Sequence, residues 1–291
     1  MMARGFVGGS MSQAAAKGIS EVWGTESDRE NGQWKRINDG SSALKDGSFG
    51  YRGREGRQGL EHSDIEIPAG QTVGIIGGTG SGKSTLVHLV PRLFDPTAGR
   101  ILWEGRDAQT RPLEELRGQI GMALQRAKLF RGSVAENIRW GKADADEEEV
   151  REAAQAAQAL DFIQNMPKGF DSIVERGGVN LSGGQKQRIS IARALVRKPR
   201  LLILDDSSSA LDYATDARLR AALSEYQKKY AMACIVVSQR VSSLGHAQEI
   251  LLLEDGRVLA QGDHAALYGM SEAYRELCAI QGIDGGKGGG L

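Results

Sequence analysis

The stretch GGTGSGKST, which runs from Gly77 to Thr85, fits the pattern G-x-x-x-x-G-K-[ST] of a phosphate-binding loop. An apolar run, 73–76, precedes it, and an amphipathic segment, 86–93, follows it. This order predicts a strand, a glycine-rich loop and a helix, which is the local structure that the motif requires. The alternative, a glycine-rich turn without a ligand, is disfavoured by this context.

The residue types in this loop suit an anionic ligand. Glycines let backbone N–H groups turn inward, Lys83 adds a positive charge at the outer phosphates, and the following helix directs its positive end to the same place. Ser84 is the natural ligand for Mg²⁺. We therefore predict that the loop binds a nucleoside triphosphate. The residues predicted to hold it are Gly77, Gly78, Thr79, Gly80, Ser81, Gly82, Lys83, Ser84 and Thr85.

Length and composition are ordinary for a soluble protein, and the charge balance points to no particular partner. Its 291 residues allow one large domain or a domain with a subdomain, and 40% are hydrophobic. The 37 basic residues balance 37 acidic ones, so charge gives no support for a nucleic-acid partner. No stretch approaches the ~20 apolar residues of a membrane span. Cys234 and Cys278 lack metal or disulfide spacing. We expect the chain as given to be soluble and cytoplasmic.

A second anion site is predicted at LSGGQ, residues 181–185. A glycine-rich turn opens there directly into an amphipathic segment, so Ser182, Gly183 and Gly184 would present N–H groups at a helix N-terminus.

Two further segments end in polar side chains. The apolar run 200–204 is followed by Asp205 and Asp206, and the apolar run 233–237 is followed by Ser238 and Gln239. Acids at the carboxyl end of a buried parallel strand, beside a phosphate loop, are placed to hold Mg²⁺ and to orient a water molecule.

The rest of the chain predicts a main domain, 42–281, between less structured ends. We expect residues 1–41 to be a disordered leader, a helix remnant and a linker, and the glycine-rich tail 282–291 to be disordered. Short runs within 44–67, together with 72–76 and 100–103, predict a small antiparallel sheet beside the phosphate loop. Helical spacing then predicts an inserted helical subdomain over about 112–180.

Together these motifs resemble the nucleotide-binding domain of an ABC transporter, over residues of about 42 to 281. LSGGQ in front of KQRISIARAL is far more specific than a phosphate loop alone. The resemblance implies an α/β fold, with a P-loop NTPase (RecA-like) parallel-sheet core, an N-terminal antiparallel β subdomain and an inserted α-helical subdomain. It also implies ATP and Mg²⁺ as ligands.

The resemblance assigns roles to particular residues. Tyr51 would stack on adenine, although on pattern alone an ordinary strand aromatic fits equally well. Gln125, in ALQRAKLFRGSVAENI, would be the Q-loop glutamine and a Mg²⁺ ligand with Ser84 and Asp205. Residues 209–212 match the D-loop.

The family also implies partners. Two such domains dimerise head to tail, so that each ATP lies between one phosphate loop and the signature of the partner. The residues that would face the partner's ATP are Leu181, Ser182, Gly183, Gly184 and Gln185. LFRGSVAENI and ERGG resemble exporter segments that contact the coupling helices of a transmembrane domain. Such a chain would work at the cytoplasmic face of the cell (inner) membrane, with its membrane domain cut away or separately encoded.

Two catalytic positions depart from the family pattern. Asp206 stands where a glutamate general base is usual, and Gln239 stands where a switch histidine is usual. Aspartate is shorter by one methylene, and glutamine cannot become an imidazolium. The pattern resembles the degenerate subunit of a heterodimeric exporter, which binds ATP, hydrolyses it slowly and completes the site of its partner.

Two other interpretations stay open. A homodimeric exporter with Asp206 as a weak base is compatible with the same residues. A soluble ABC ATPase of DNA repair or translation would usually carry a coiled coil, a zinc hook or a second domain copy, and this sequence has no heptad run, CxxC or internal repeat. A P-loop kinase is excluded, because it would have no use for LSGGQ.

Overall fold

The computed structural model describes residues 29–30, 33–34, 40–50, 58–207 and 209–283. The chain forms two compact units, 1–37 and 38–291. In the first unit, the described residues form the two-stranded antiparallel ladder of β1 (Arg29–Glu30) and β2 (Gln33–Trp34). The predicted helix remnant and the tail from 284 onward lie outside the described residues.

The second unit contains the remaining described elements. The strands are β3 (Ser42–Gly50), β4 (Gln58–Ile67), β5 (Thr72–Gly77), β6 (Ala98–Trp103), β7 (Arg106–Asp107), β8 (Ile120–Ala123), β9 (Gly132–Ser133), β10 (Ile173–Val174), β11 (Leu201–Asp205), β12 (Ala233–Val237), β13 (Glu249–Glu254) and β14 (Arg257–Gly262). The α-helices are α1 (Lys83–Leu89), α2 (Leu113–Gly118), α3 (Val134–Arg139), α4 (Glu147–Ala156), α5 (Leu160–Gln164), α6 (Gly183–Leu195), α7 (Tyr213–Tyr230), α8 (His264–Met270) and α9 (Glu272–Ile280).

A six-stranded sheet forms the core of this unit, in the order β14-β13-β5-β12-β11-β8. Five strands are parallel, and β14 joins the edge of β13 antiparallel. The strands β5 and β11 are buried along nearly their whole length, as expected when both faces of a parallel sheet are covered. Their continuous apolar sequences are the reason that they take the central positions.

A separate antiparallel sheet has the order β4-β3-β6-β7. Its inner face packs Leu60, Ile65, Ile101 and Trp103 into the cluster that also contains Leu86 of α1. The predicted antiparallel subdomain is therefore present. However, the sequence prediction that 72–76 belongs to it is wrong: β5 pairs parallel with β12 and β13, because its residues are buried on both faces.

The helical segment follows β8, and two of its helices, α3 and α4, begin at capping boxes. Ser133 and Asp146 each form a capping box with the glutamate three residues later, at the starts of α3 and α4. The prediction of a helical subdomain over about 112–180 is wrong near its beginning, because residues 120–123 form β8, the edge strand that pairs with β11 in the parallel sheet. Helical periodicity could not separate this four-residue strand from its helical neighbours.

Among the residues that the structure describes, no helix has the length and apolar character needed to cross a bilayer.

Candidate nucleotide-binding site

The phosphate loop, residues 77–85, connects the carboxyl end of β5 to α1. Two of its glycines are required by their surroundings. A Cβ on Gly77 would lie 2.1 Å from the carbonyl oxygen of Leu253, and one on Gly82 would lie 2.5 Å from that of Gly59. Gly82 also has a φ of 101°, in the region that disfavours L side chains. The loop can therefore follow this path only with glycine at both positions.

Lys83 is the first residue of α1, and its side chain turns back over the loop. Its Nζ donates hydrogen bonds to the carbonyl oxygens of Gly77, at 2.9 Å, and Gly78, at 2.6 Å. Burial lowers the pKa of Lys83, whereas the charges of Asp206 and Asp205 act to raise it. A positive group is thus held at the centre of the loop, where phosphate oxygens would compensate its burial.

Backbone pairing brings three predicted segments to one edge of the sheet. Val237, the last residue of β12, pairs with Ile75 of β5 on one side and with Asp205 of β11 on the other. The N–H of Ser238 donates to the carbonyl of Ile75 at 3.1 Å, and the N–H of Asp206 donates to that of Val237 at 3.0 Å. The switch loop, residues 238–241, therefore leaves the sheet between the phosphate loop and the two aspartates.

The acid pair, Asp205 and Asp206, ends β11. Asp205 is 7% exposed, and burial raises its pKa, with Asp206 adding to the rise while His88 and Lys83 oppose it. Burial also raises the pKa of Asp206, against a hydrogen bond from Gln125 and the charge of Lys83. Both carboxylates thus lie where a cation would stabilise their ionised forms.

Gln125 reaches this pair from the neighbouring strand. It follows β8 by two residues, and its Nε2 donates to Oδ2 of Asp206 at 2.9 Å. Asp206 itself has a φ of 46°, a left-handed conformation that aspartate tolerates better than most residues. The structure therefore brings the predicted glutamine and the predicted base into direct contact.

The donor chemistry here fits Mg²⁺. Asp205 offers a carboxylate, Ser84 an exposed hydroxyl and Gln125 an exposed amide, all at the ends of elements around the phosphate loop. Mg²⁺ is usually held by one or two carboxylates together with substrate phosphates, rather than by a cage of protein ligands. The described part of the chain contains no group of three His, Cys, Asp or Glu side chains that could hold a metal.

The signature turn, residues 181–185, lies at the start of α6. The hydroxyl of Ser182 accepts from the N–H of Gln185 at 3.2 Å, and Oε1 of Gln185 accepts from the N–H of Ser182 at 2.9 Å. Leu181 is buried, whereas Ser182 and Gly183 are exposed. The turn packs beside Ala210, and its helix end is exposed to solvent at Ser182 and Gly183.

Sequence reasoning missed one residue that shapes the site. Gln187, within α6, is 2% exposed, and its Nε2 donates to the carbonyl of Leu124 at 3.0 Å, one residue before Gln125. The amphipathic pattern of α6 gave no signal for it, because only the folded chain places α6 against β8. Tyr51, the predicted adenine-stacking residue, lies outside the described residues.

A glycine-rich loop at the end of a central parallel strand, a lysine held within it and an acid pair on a nearby strand define a P-loop nucleotide-binding domain. Residues 60–209 match the family described as "ABC transporter". This chain belongs to the ABC transporter family, as an ATP-binding domain.

Relatives and a solved structure agree with this assignment. The chain is 42% identical over 270 residues to the "Uncharacterized ABC transporter ATP-binding protein YfiB" of Bacillus subtilis (strain 168), covering 92% of this chain and 46% of that protein. It is 38% identical over 271 residues to the "ATP-dependent lipid A-core flippase" of Vibrio cholerae, again covering 92% and 46%. It also superposes on "Structure of a bacterial Atm1-family ABC exporter with ATP bound" with a TM-score of 0.79 and 33% identity, covering 95% of this chain and 48% of that one. This chain thus spans about half the length of the relatives that it matches.

Proposed function

We propose that this chain is the ATP-binding domain of an ABC exporter and drives export through ATP-dependent association with a second nucleotide-binding domain. The observation that carries the proposal is the sheet edge where Lys83, Asp205 and Gln239 converge from three adjacent strands. Similarity to the solved exporter supports the direction of transport. Because one relative is named a lipid A-core flippase, an amphipathic lipid is the first transported substrate to test.

The residues of this chain divide the work at the nucleotide. Lys83 compensates the charge of the outer phosphates, and the N–H groups of the phosphate loop bind their oxygens. Ser84, Asp205 and Gln125 would hold Mg²⁺, which neutralises charge that develops on the phosphates. Burial of the acid pair makes this cation the natural partner of both carboxylates.

We further propose that the site of this chain hydrolyses ATP slowly. A general base must lie within about 3 Å of the attacking water, and aspartate falls short of glutamate by about one C–C bond, ~1.5 Å. One carboxylate oxygen of Asp206 already accepts a hydrogen bond from Gln125. Gln239 can donate to a γ-phosphate oxygen but cannot add a positive charge. Binding would therefore be retained while turnover is reduced.

The exposed signature turn supports a role in trans. Ser182 and Gly183 are exposed at the start of the 13-residue helix α6, where Gly183 and Gly184 carry the first N–H groups of the helix. A partner's ATP would meet the positive end of this helix. We propose that the partner is a second nucleotide-binding domain with intact catalytic residues, so that the competent site of a heterodimer uses this signature turn.

A membrane-domain partner is supported by an exposed aromatic pair. Phe130 and Trp140 stack with ring centroids 4.3 Å apart, although Trp140 is 65% exposed. Phe130 lies in the LFRGSVAENI segment, and Arg193 lies over its ring at 5.5 Å. We propose that this surface receives a coupling helix of the transmembrane domain at the cytoplasmic face of the membrane.

One observation favours a second candidate, the homodimeric exporter. Burial raises the pKa of Asp206, and a carboxylate with a raised pKa is a stronger base. In that case two copies of this chain would form two equivalent sites that both hydrolyse ATP with Asp206 as the base. The two candidates differ in turnover and not in binding.

Calorimetry with MgATP tests the proposal that both candidates share. Lys83→Ala removes the buried ammonium and leaves the carbonyls of Gly77 and Gly78 without it, so we expect loss of measurable ATP binding. The exposed Lys228, on α7, gives a matched control as Lys228→Ala, which should bind ATP like the parent. Equal affinity of parent and Lys83→Ala would contradict the assignment of the phosphate loop.

A further inference from the structure

Gln281, the residue after α9, binds the switch loop through both ends of its side-chain amide. Its Nε2 donates to the carbonyl oxygen of Gln239 at 2.9 Å, and its Oε1 accepts from the N–H of Val241 at 2.8 Å. A single side chain from the C-terminal end of the domain thus bridges the backbone on both sides of Arg240.

The position of Gln281 is itself fixed by the last helices. Its N–H donates to the carbonyl oxygens of Leu277 and Cys278 at the end of α9. Val241 is fully buried in the cluster that contains Tyr274 and Cys278. The end of the switch loop and the end of α9 are therefore joined by hydrogen bonds and by apolar packing.

The beginning of the switch loop is held by the sheet. Ser238 bonds to Ile75 of β5, and its Oγ accepts from the N–H of Arg240 at 2.9 Å. Between these anchors Gln239 has an exposed side chain, and its own carbonyl is the group that Gln281 binds. The direction in which Gln239 points thus depends on Gln281 on one side and on β5 on the other.

We propose that Gln281 is a positioning residue, which holds Gln239 toward the γ-phosphate of the bound nucleotide. This inference rests on the proposed function, since it requires a nucleoside triphosphate in the phosphate loop. Gln281 is exposed, so its amide contributes little by burial, and its two hydrogen bonds are its main contacts with the loop. It links the C-terminal helix to a residue that would contact the γ-phosphate, the group that ATP has and ADP lacks.

The experiment measures the affinities of the full chain for Mg²⁺–AMP-PNP and for MgADP by calorimetry. In Gln281→Ala, the affinity for AMP-PNP should fall about three- to tenfold, as expected for the loss of hydrogen bonds that orient one contact, while the affinity for ADP stays within about twofold. Glu276→Ala, an exposed change on the same helix, is the matched control and should leave both affinities unchanged.

Gln281→Glu distinguishes a role in orienting Gln239 from a role in only attaching the switch loop to α9. The carboxylate can still accept from the N–H of Val241, but it faces the carbonyl of Gln239 without a proton to donate. We expect it to lower the AMP-PNP affinity as Gln281→Ala does, while amide hydrogen exchange at Val241 stays slow. In Gln281→Ala that amide should exchange faster.

The outcomes are distinct. If the parent binds neither nucleotide, the proposed function fails. If the parent binds both and Gln281→Ala and Gln281→Glu leave the AMP-PNP to ADP ratio unchanged, the positioning role is overturned and the proposed function stands. A lower Tm of the two variants with an unchanged AMP-PNP to ADP affinity ratio would also overturn the positioning role, because Gln281 would then only attach α9 to the switch loop.

Discussion

The proposed slow hydrolysis predicts that glutamate at position 206 and histidine at position 239, the residues usual in the family, should accelerate ATP turnover by this chain. The perturbation is Asp206→Glu combined with Gln239→His. Glutamate adds about 1.5 Å of reach to the carboxylate, and histidine adds a group that can carry a positive charge at the γ-phosphate. Both changes lie at the sheet edge where Val237 joins β5 to β11.

The expected magnitude follows from the contacts of Asp206. A well-placed general base contributes on the order of 10²–10⁴ in rate. Gln125 occupies one oxygen of Asp206 at 2.9 Å, whereas the other oxygen is left to act as a weak base, so we expect a gain at the lower end of this range, about 100-fold, in the double variant. That gain corresponds to about 2.7 kcal/mol of transition-state stabilisation. The left-handed backbone at residue 206 costs a glutamate about 1–2 kcal/mol at most, too little to unfold the domain.

The assay is steady-state release of phosphate by the full chain at saturating MgATP, across a range of protein concentrations. The double variant should be well above either single variant, because both groups act on one transition state and their effects need not add. Lys83→Ala in the same background controls for contaminating ATPase. Calorimetry should show ATP affinity within a few-fold of the parent.

The result that would refute this reasoning is a fast parent. If the unaltered chain alone hydrolysed ATP at roughly 1 s⁻¹ or more, and Asp206→Asn abolished that activity, Asp206 would be a competent base. We would then accept the homodimeric exporter in place of the slow subunit.

Two other predictions concern stability and assembly. Burial raises the pKa of Asp205 in the folded chain above its ordinary 3.8. The buried carboxyl therefore costs the folded state least below pH 3.8, where it is protonated, and the fold loses stability as the pH rises through the pKa of the folded state. Asp205→Asn cannot ionise, so it should raise Tm relative to the parent near pH 7 and raise it less near pH 4, and it should weaken MgATP binding. An equal difference in Tm at both pH values would contradict the burial of an ionised Asp205 as the cause. Ser182→Arg should prevent ATP-dependent dimerisation in light scattering, unlike Gln164→Arg on the exposed surface of α5, and an unchanged dimer would contradict the head-to-tail arrangement.

Much of the site was predictable because its motifs are local. The phosphate loop needs its glycines and lysine within nine residues, and the structure places Lys83 over the carbonyls of Gly77 and Gly78. The signature turn is equally local, since Ser182 and Gln185 cap the same helix end. The helical prediction for 120–123 was wrong because four residues carry too little periodicity to separate an edge strand from a helix.

Sequence by itself determined the family, the phosphate loop, the signature turn and the acid pair, since each depends on residues adjacent in the chain. Only the tertiary structure decided which of them meet. The order of parallel strands sets Gln239 between the phosphate loop and the acid pair and joins Gln125 to Asp206 across 81 residues. The packing of α9 on the switch loop joins Gln281 to Gln239 across 42 residues. Strand order follows from burying both faces of the sheet at once, which is a property of the whole chain and is absent from any single segment.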